Sequence, residues 1–261
     1  MGQMNGLTAL VTGASRGIGA EIARRFAADG AHVFVSARTV EEGDHIFEGS
    51  INSTVNMIRE AGGSADAIAA DLGKADDRAR LVAATGPVDI LVNNAAITYF
   101  EPVGDFNPSH YGLMFEVQVR APFELAQSYL PGMKKQGRGW ILNISSGAAI
   151  HPQGPPYVRG LGGGTVYGMC KAALERFTTG LASEVCSDGI AVNALSPSGL
   201  VLTPGVLHHK LDQFAPPDRQ EPVSYMAEAA YALCTGDPRV LTGKVTYAKP
   251  ILEELAIPLP H

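Results

Sequence analysis

The sequence has little of what would staple a small or unusual fold. Its three cysteines, Cys170, Cys186 and Cys234, are far apart and lack metal-ligand spacing. Neither a disulfide framework nor a zinc site is therefore expected. Charged residues are sparse, 18% of 261 positions, and the 20 basic side chains are outnumbered by 26 acidic ones. No long basic run occurs, which argues against nucleic acid or an anionic membrane surface as a partner. No apolar run approaches the roughly 18 residues of a membrane helix. The opening MGQMNGLTALVTG has no basic segment ahead of an apolar one, so no signal peptide is expected. Gly6 stands where a myristoylated start would carry Ser or Thr. These absences together point to a reduced, cytoplasmic protein. With 46% hydrophobic residues the chain can bury a large core unaided. A single domain over 1–261 is the simplest organisation.

What is present is alternation. Short apolar runs at Leu7–Thr12, His32–Ser36, Asp66–Ala70, Val88–Val92, Trp140–Ile144, Ile190–Leu195 and Lys244–Tyr247 read as seven strands. Several are apolar almost throughout, as strands covered on both faces are. Helical patterns lie between them. Ile18, Ile22 and Phe26 recur every four positions, and Ala172, Leu174, Phe177, Leu181 and Val185 make a second stripe after Tyr167. This order predicts an α/β fold, a doubly wound parallel sheet flanked by helices, with ligands beyond the carboxyl ends of the strands. Two stretches interrupt the pattern. Pro152–Gly164 is too rich in Gly and Pro for a helix or inner strand, and Gly199–Pro222 has the prolines and large apolar residues of a lid.

The first strand runs into Gly13-Ala14-Ser15-Arg16-Gly17-Ile18-Gly19. Strand, glycine turn and helix make a phosphate-binding corner, where free N–H groups and the helix dipole meet a pyrophosphate. The spacing G-x-x-x-G-x-G departs from the dinucleotide fingerprint and lacks the lysine of a P-loop. Gly13–Gly17 also reads G-x-S-x-G, the nucleophile elbow of an α/β-hydrolase, but that elbow follows several earlier strands and needs a downstream His in context.

Further residues occur in order: Thr12-Gly13, Gly17, Gly19, Asp71, Asn93-Asn94-Ala95-Ala96, Ser146 and Tyr167-x-x-x-Lys171. This set resembles the single-domain branch of the short-chain dehydrogenase/reductase family, from about Leu7 to Gly243. The resemblance implies a Rossmann-like sheet of seven parallel strands and a nicotinamide cofactor. It implies a cofactor-binding set of Gly13, Ser15, Gly17, Ile18, Gly19, Asp71, Leu72, Asn93, Ala95 and Thr203, with Asp71 near the adenine and Asn93 supporting the cofactor loop. It makes Tyr167 the general acid/base, places Lys171 near the nicotinamide ribose, and gives the Ser146 hydroxyl to the substrate oxygen, with Ser145 as competitor. Gln118 occupies the place of a catalytic asparagine. Ser146 and Tyr167 are 21 residues apart, further than in relatives, and the Gly/Pro-rich loop absorbs the excess. Tyr157 is nearer the usual spacing but has Leu161, not Lys, four residues on.

The physics of the pair is plausible. Tyr167 and Lys171 are one helical turn apart and share a face. Lowering a phenol from about 10 to about 7 requires roughly 4 kcal/mol. A cation at about 4 Å in an effective dielectric near 20 gives that much, so Lys171 with an oxidised nicotinamide is expected to supply the shift. The second strand ends without the acidic residue of NAD-preferring sites: Ala37 and Arg38 stand there, and Arg16 lies in the glycine turn. Two guanidinium groups suit a 2′-phosphate, so NADP(H) is expected over NAD(H), which stays possible. Substrate loops are expected near 147–166 and 199–222. Val206, Leu207, Leu211 and Phe214 suggest an apolar lid, and His208-His209 are read as lid or surface residues. The expected substrate is a small apolar or aromatic ketone or secondary alcohol, and the resemblance implies a homodimer or homotetramer. The competing function is an NADP(H)-binding regulatory protein on the same fold, suggested by Gln118; a sugar-nucleotide epimerase would need a longer chain.

Overall fold

The structure is a computed structural model and describes residues 2–157 and 162–260. Its frame is a sheet of seven parallel strands: β1 (Thr8–Thr12), β2 (His32–Ala37), β3 (Ser64–Ala69), β4 (Ile90–Asn93), β5 (Gly139–Ile144), β6 (Ile190–Ser196) and β7 (Val245–Tyr247). The helices are α1 (Gly17–Ala28), α2 (Ile51–Glu60), α3 (Ala75–Thr85), α4 (Pro108–Phe115), α5 (Ala121–Gln136), α6 (Thr165–Val185), α7 (Pro204–His208), α8 (Val223–Thr235) and α9 (Ala248–Glu254).

The strand order is β3-β2-β1-β4-β5-β6-β7, so the winding reverses between β1 and β4. A crevice opens at such a reversal, at the carboxyl ends of the strands. Alternation along the strands divides the core. Ala9, Val11, Ile90, Val92 and Leu142 pack on the side of α1, α2, α8 and α9, whereas Leu10, Leu91, Ile141 and Val192 pack on the side of α3, α5 and α6. Both faces are covered, which is why these strands carry no polar alternation.

All seven expected strands occur, with shifted ends. β3 begins at Ser64 because its ladder with β2 opens on the pair His32–Ser64, whose side chains lie 2.7 Å apart. β4 begins after Val88 and Asp89 because the Asp89 carboxylate turns back to accept from the Thr8 amide (2.8 Å) and hydroxyl (3.0 Å). The loop expected at 152–164 falls partly on residues 158–161, outside the described residues. The stretch 199–222, the expected lid, forms α7 and two short 3-10 turns. Its two ends pair in a parallel bridge between Leu200 and Gln220.

Candidate active site

The crevice is built around Thr12. Its hydroxyl donates to the Val92 carbonyl at 3.1 Å and accepts from the amides of Asn94 (3.1 Å) and Ala95 (3.2 Å). This joins the ends of β1 and β4. The Asn94 amide nitrogen then donates to the carbonyls of Thr12 (2.9 Å) and Gly13 (3.0 Å). Gly13 has φ +64°, and a Cβ there would lie 2.7 Å from the Ala95 Cα, so the approach requires glycine. Asn93 is buried in β4 and donates to Asn143 Oδ1 (2.8 Å), which in turn donates to Thr178 (2.8 Å). Asn94, in the same motif, does the work at the loop.

α1 begins at Gly17 with no side-chain cap and no acidic residue in its first turn. Its N-terminal amides are therefore available to an anion. Ser15 is buried, Ile18 packs on the core, and a Cβ at Gly17 would lie 3.0 Å from the Thr203 methyl. Thr203 caps α7 by accepting from Val206 N at 3.3 Å. Asp71 accepts from Gly73 N (3.0 Å) and lies 3.6 Å from Lys74, while Leu72 is buried and its carbonyl accepts from Arg78 (2.7 Å).

At the far end of the crevice Arg16 is held by three acceptors. Its Nη2 donates to Gly49 O (2.6 Å) and Thr39 Oγ1 (3.1 Å), and its Nη1 lies 3.1 Å from His45 Nδ1. Arg38 is exposed nearby. Burial and the Arg38 charge lower the Arg16 pKa, opposed by Glu42. The same burial, with Arg16 and Arg38, depresses His45. This end of the crevice is a crowded cationic cluster suited to an anion.

The other end brings together the expected catalytic residues. Ser146 follows β5 and its hydroxyl faces the Tyr167 phenol. Ser145 turns away and donates to Glu175 at 2.7 Å, which separates the two serine candidates. Tyr157 is 67% exposed. Lys171, 3% exposed, donates to Ile144 O at 2.8 Å, and its Nζ lies 5.6 Å from the Tyr167 ring centroid. Burial pushes the Lys171 ammonium down to about 8. The phenol moves opposite to expectation. Burial raises the Tyr167 pKa, the Ser146 hydroxyl opposes this, and Lys171 is not among the groups that lower it. Lys171 spends its proton on a carbonyl, so in the protein alone desolvation wins.

Gln118 sits in a π-helical turn, Glu116–Arg120, between α4 and α5. Its amide nitrogen donates to Ile97 O at 2.9 Å. Among the described residues the buried side-chain atoms without a hydrogen-bond partner are Arg16 Nε, Asn93 Oδ1, Gln118 Oε1 and Glu221 Oε2. Three of these belong to residues of this crevice. Together with the free N-terminus of α1, they fit a polar, anionic dinucleotide lying along it.

The short chain dehydrogenase model matches residues 7–211. The chain belongs to that family. "Dehydrogenase/reductase SDR family member 4" from Sus scrofa is 38% identical over 203 residues, covering 75% of this chain and 66% of that relative. The match thus spans just under two thirds of the relative's length. Among solved structures, a short chain dehydrogenase from Mycobacterium thermoresistibile superposes with TM-score 0.81 at 31% identity, covering 97% of this chain and 89% of its own. A 3-oxoacyl (acyl-carrier-protein) reductase from Agrobacterium tumefaciens with NADP bound gives TM-score 0.80 at 29% identity, covering 94% and 93%.

Within the short-chain dehydrogenase frame, sequence reading missed Asn94, His45, Phe47, Phe100 and Glu221. Asn94 stood in the quoted motif. The others lie in loops, where contacts leave no periodic trace.

Proposed function

We propose that this chain is an NADP(H)-dependent oxidoreductase that interconverts a small apolar or aromatic ketone and its secondary alcohol, as a homodimer or homotetramer. The observation that carries the reading is the convergence of Ser146, Tyr167 and Lys171 at one end of a crevice whose other end holds Arg16 and Arg38. NADP(H) supplies or accepts the hydride when bound. Gly13, Ser15, Gly17, Ile18 and Gly19 would cradle its pyrophosphate. Asp71, Leu72, Asn93 and Ala95 would line its path, and Thr203 would close over it. Arg16 and Arg38 would take the 2′-phosphate.

The residues then act as follows. Tyr167 donates its phenolic proton to the carbonyl oxygen in reduction and recovers it from the alcohol in oxidation. Its raised pKa keeps the phenol protonated at neutral pH, the form reduction needs. Ser146 hydrogen-bonds the same oxygen. Lys171, held on the Ile144 carbonyl, would meet the nicotinamide ribose. Gln118 Oε1, buried and unpartnered, is an acceptor that keeps a proton relay possible. The surroundings of Tyr167 support the substrate class. Ile97, Tyr99 and Phe106, partly buried, pack in the same cluster, and such apolar surroundings suit an apolar or aromatic carbonyl.

The test is NADPH consumption across aliphatic, aromatic and steroidal ketones, with Tyr167→Phe alongside. Turnover on an apolar ketone, lost at least a hundredfold in Tyr167→Phe, is the expected result. Turnover retained by the variant overturns the role of Tyr167. Tight NADPH binding without turnover on any ketone, restored by Gln118→Asn, would favour the regulatory reading.

A further inference from the structure

An unbroken line of ring contacts joins the two ends of the crevice. The Arg16 guanidinium lies 5.7 Å from the Phe47 ring centroid. Phe47 meets His45 at 4.7 Å and His208 at 5.0 Å, both at 61°. His208 meets His209 (5.2 Å, 81°), His209 meets Phe100 (5.3 Å, 83°), and Phe100 meets Tyr167 (6.1 Å, 68°). Each ring pair is edge-to-face, the arrangement in which aromatic quadrupoles attract.

The two histidines divide the task. Neighbouring residues on a helix diverge by about 100°. His208 therefore reaches Phe47 in the loop after β2, while His209 reaches Phe100 in the loop after β4. The lid is pinned to both walls of the crevice, and its root is seated where Thr203 faces Gly17.

Phe47 is fixed from behind by the cationic cluster. Its amide donates to His45 Nδ1 at 3.2 Å, the same nitrogen that Arg16 Nη1 faces at 3.1 Å. Arg16 also holds Gly49 O, two residues beyond Phe47, at 2.6 Å. Anything that fixes the Arg16 guanidinium thus fixes the segment carrying Phe47, and His208 is the lid residue in contact with that ring.

We propose that His208 is a positioning residue that couples the Arg16–Arg38 cluster to the lid, so that a 2′-phosphate on the adenosine ribose tightens the lid and a 2′-hydroxyl does not. The inference rests on the assignment of Arg16 and Arg38 to a 2′-phosphate made above. It places part of the cofactor selectivity outside the residues that touch the phosphate. Coupling of this kind is reciprocal, so a closed lid also strengthens phosphate binding. One edge-to-face pair corresponds to a change of about two- to tenfold.

The test uses adenosine 2′,5′-bisphosphate and 5′-AMP, which lack the nicotinamide half. Trypsin cleavage after Lys210, an exposed lid residue, is followed by mass spectrometry, and binding is measured by calorimetry. In the wild type the bisphosphate is expected to slow cleavage about two- to tenfold and AMP to leave it unchanged. His208→Ala should abolish the slowing, and His208→Phe, which keeps the ring, should restore it. Slowing that survives in His208→Ala, or that AMP produces equally, overturns the coupling. Bisphosphate binding tighter than AMP without any slowing overturns the coupling while leaving the cofactor reading intact. Bisphosphate binding no tighter than AMP overturns the cofactor reading and the coupling with it.

Discussion

Lys171 shows most plainly what the site costs the fold. It is a buried ammonium with one carbonyl partner, and its folded pKa of about 8 lies below the ordinary 10.5. A lysine depressed in this way destabilises the fold wherever it is charged in both states, below about pH 8, and the penalty fades as pH rises toward 10.5. That difference corresponds to roughly 3 kcal/mol. Lys171→Met, close in volume, should therefore raise unfolding stability by about 1–3 kcal/mol at pH 7 while activity falls at least a hundredfold. Urea denaturation at pH 7 and pH 10 checks this; an equal gain at both would assign it to packing. Arg38 makes the opposite case, an exposed cation that binding would use. Arg38→Asp should reverse the NADPH/NADH preference in kcat/KM, and an unchanged ratio would remove Arg38 from the phosphate clamp. The residues at this scale were unevenly legible. Tyr167, Lys171 and Ser146 could be read because they complete an ordered set of motifs that carries the family resemblance. The direction of the phenol's shift could not, since it depends on how deeply the ring is desolvated and where Lys171 Nζ points. The second is set by the Ile144 carbonyl, 27 residues away.

Among the elements, the lid was legible as a segment but not as a mechanism. Its prolines and apolar residues marked it, whereas the clasp at its base joins residues about twenty positions apart. Glu221, 5% exposed, accepts from Ser198 N at 2.9 Å. Beside it, Leu200 N donates to Arg219 O (2.8 Å) and Glu221 N to Leu200 O (3.0 Å). A hydrogen bond to a buried charged group contributes about 1.5–3 kcal/mol. Glu221→Ala should speed hydrogen exchange at the Ser198 amide at least tenfold, whereas Glu221→Gln, which keeps an acceptor oxygen, should stay within about threefold of wild type. Equal acceleration in both variants would mean that the carboxylate charge, not the acceptor, holds the clasp. The strands were the most legible elements because burial on both faces leaves a continuous apolar run. The start of β4 moved where the Asp89 side chain took over the backbone's role.

For the whole molecule, α6 presents two faces. Lys171 faces the sheet, while Phe177 opens onto a groove of about 580 Å³ shared with Phe115, Val119 and Phe123. Phe123 is 49% exposed and Met169 46%, a large apolar area for the surface of a lone chain. The charges at the groove's edge are already paired, since Arg120 lies 3.2 Å from Glu116 and 3.9 Å from Glu124. They therefore need no oppositely charged partner, and in the proposed homo-oligomer a second copy of this apolar face would cover the groove with least desolvation of charge. Because the helix that would be buried also carries Tyr167 and Lys171, assembly and catalysis share an element. Phe123→Asp places a carboxylate at the centre of that face and should convert a dimer to a monomer in sedimentation velocity. Activity should fall with the monomer fraction as α6 loses its support, and return at high protein concentration. A wild type that sediments as a monomer, or a variant that stays dimeric, would move the contact to another face of the molecule.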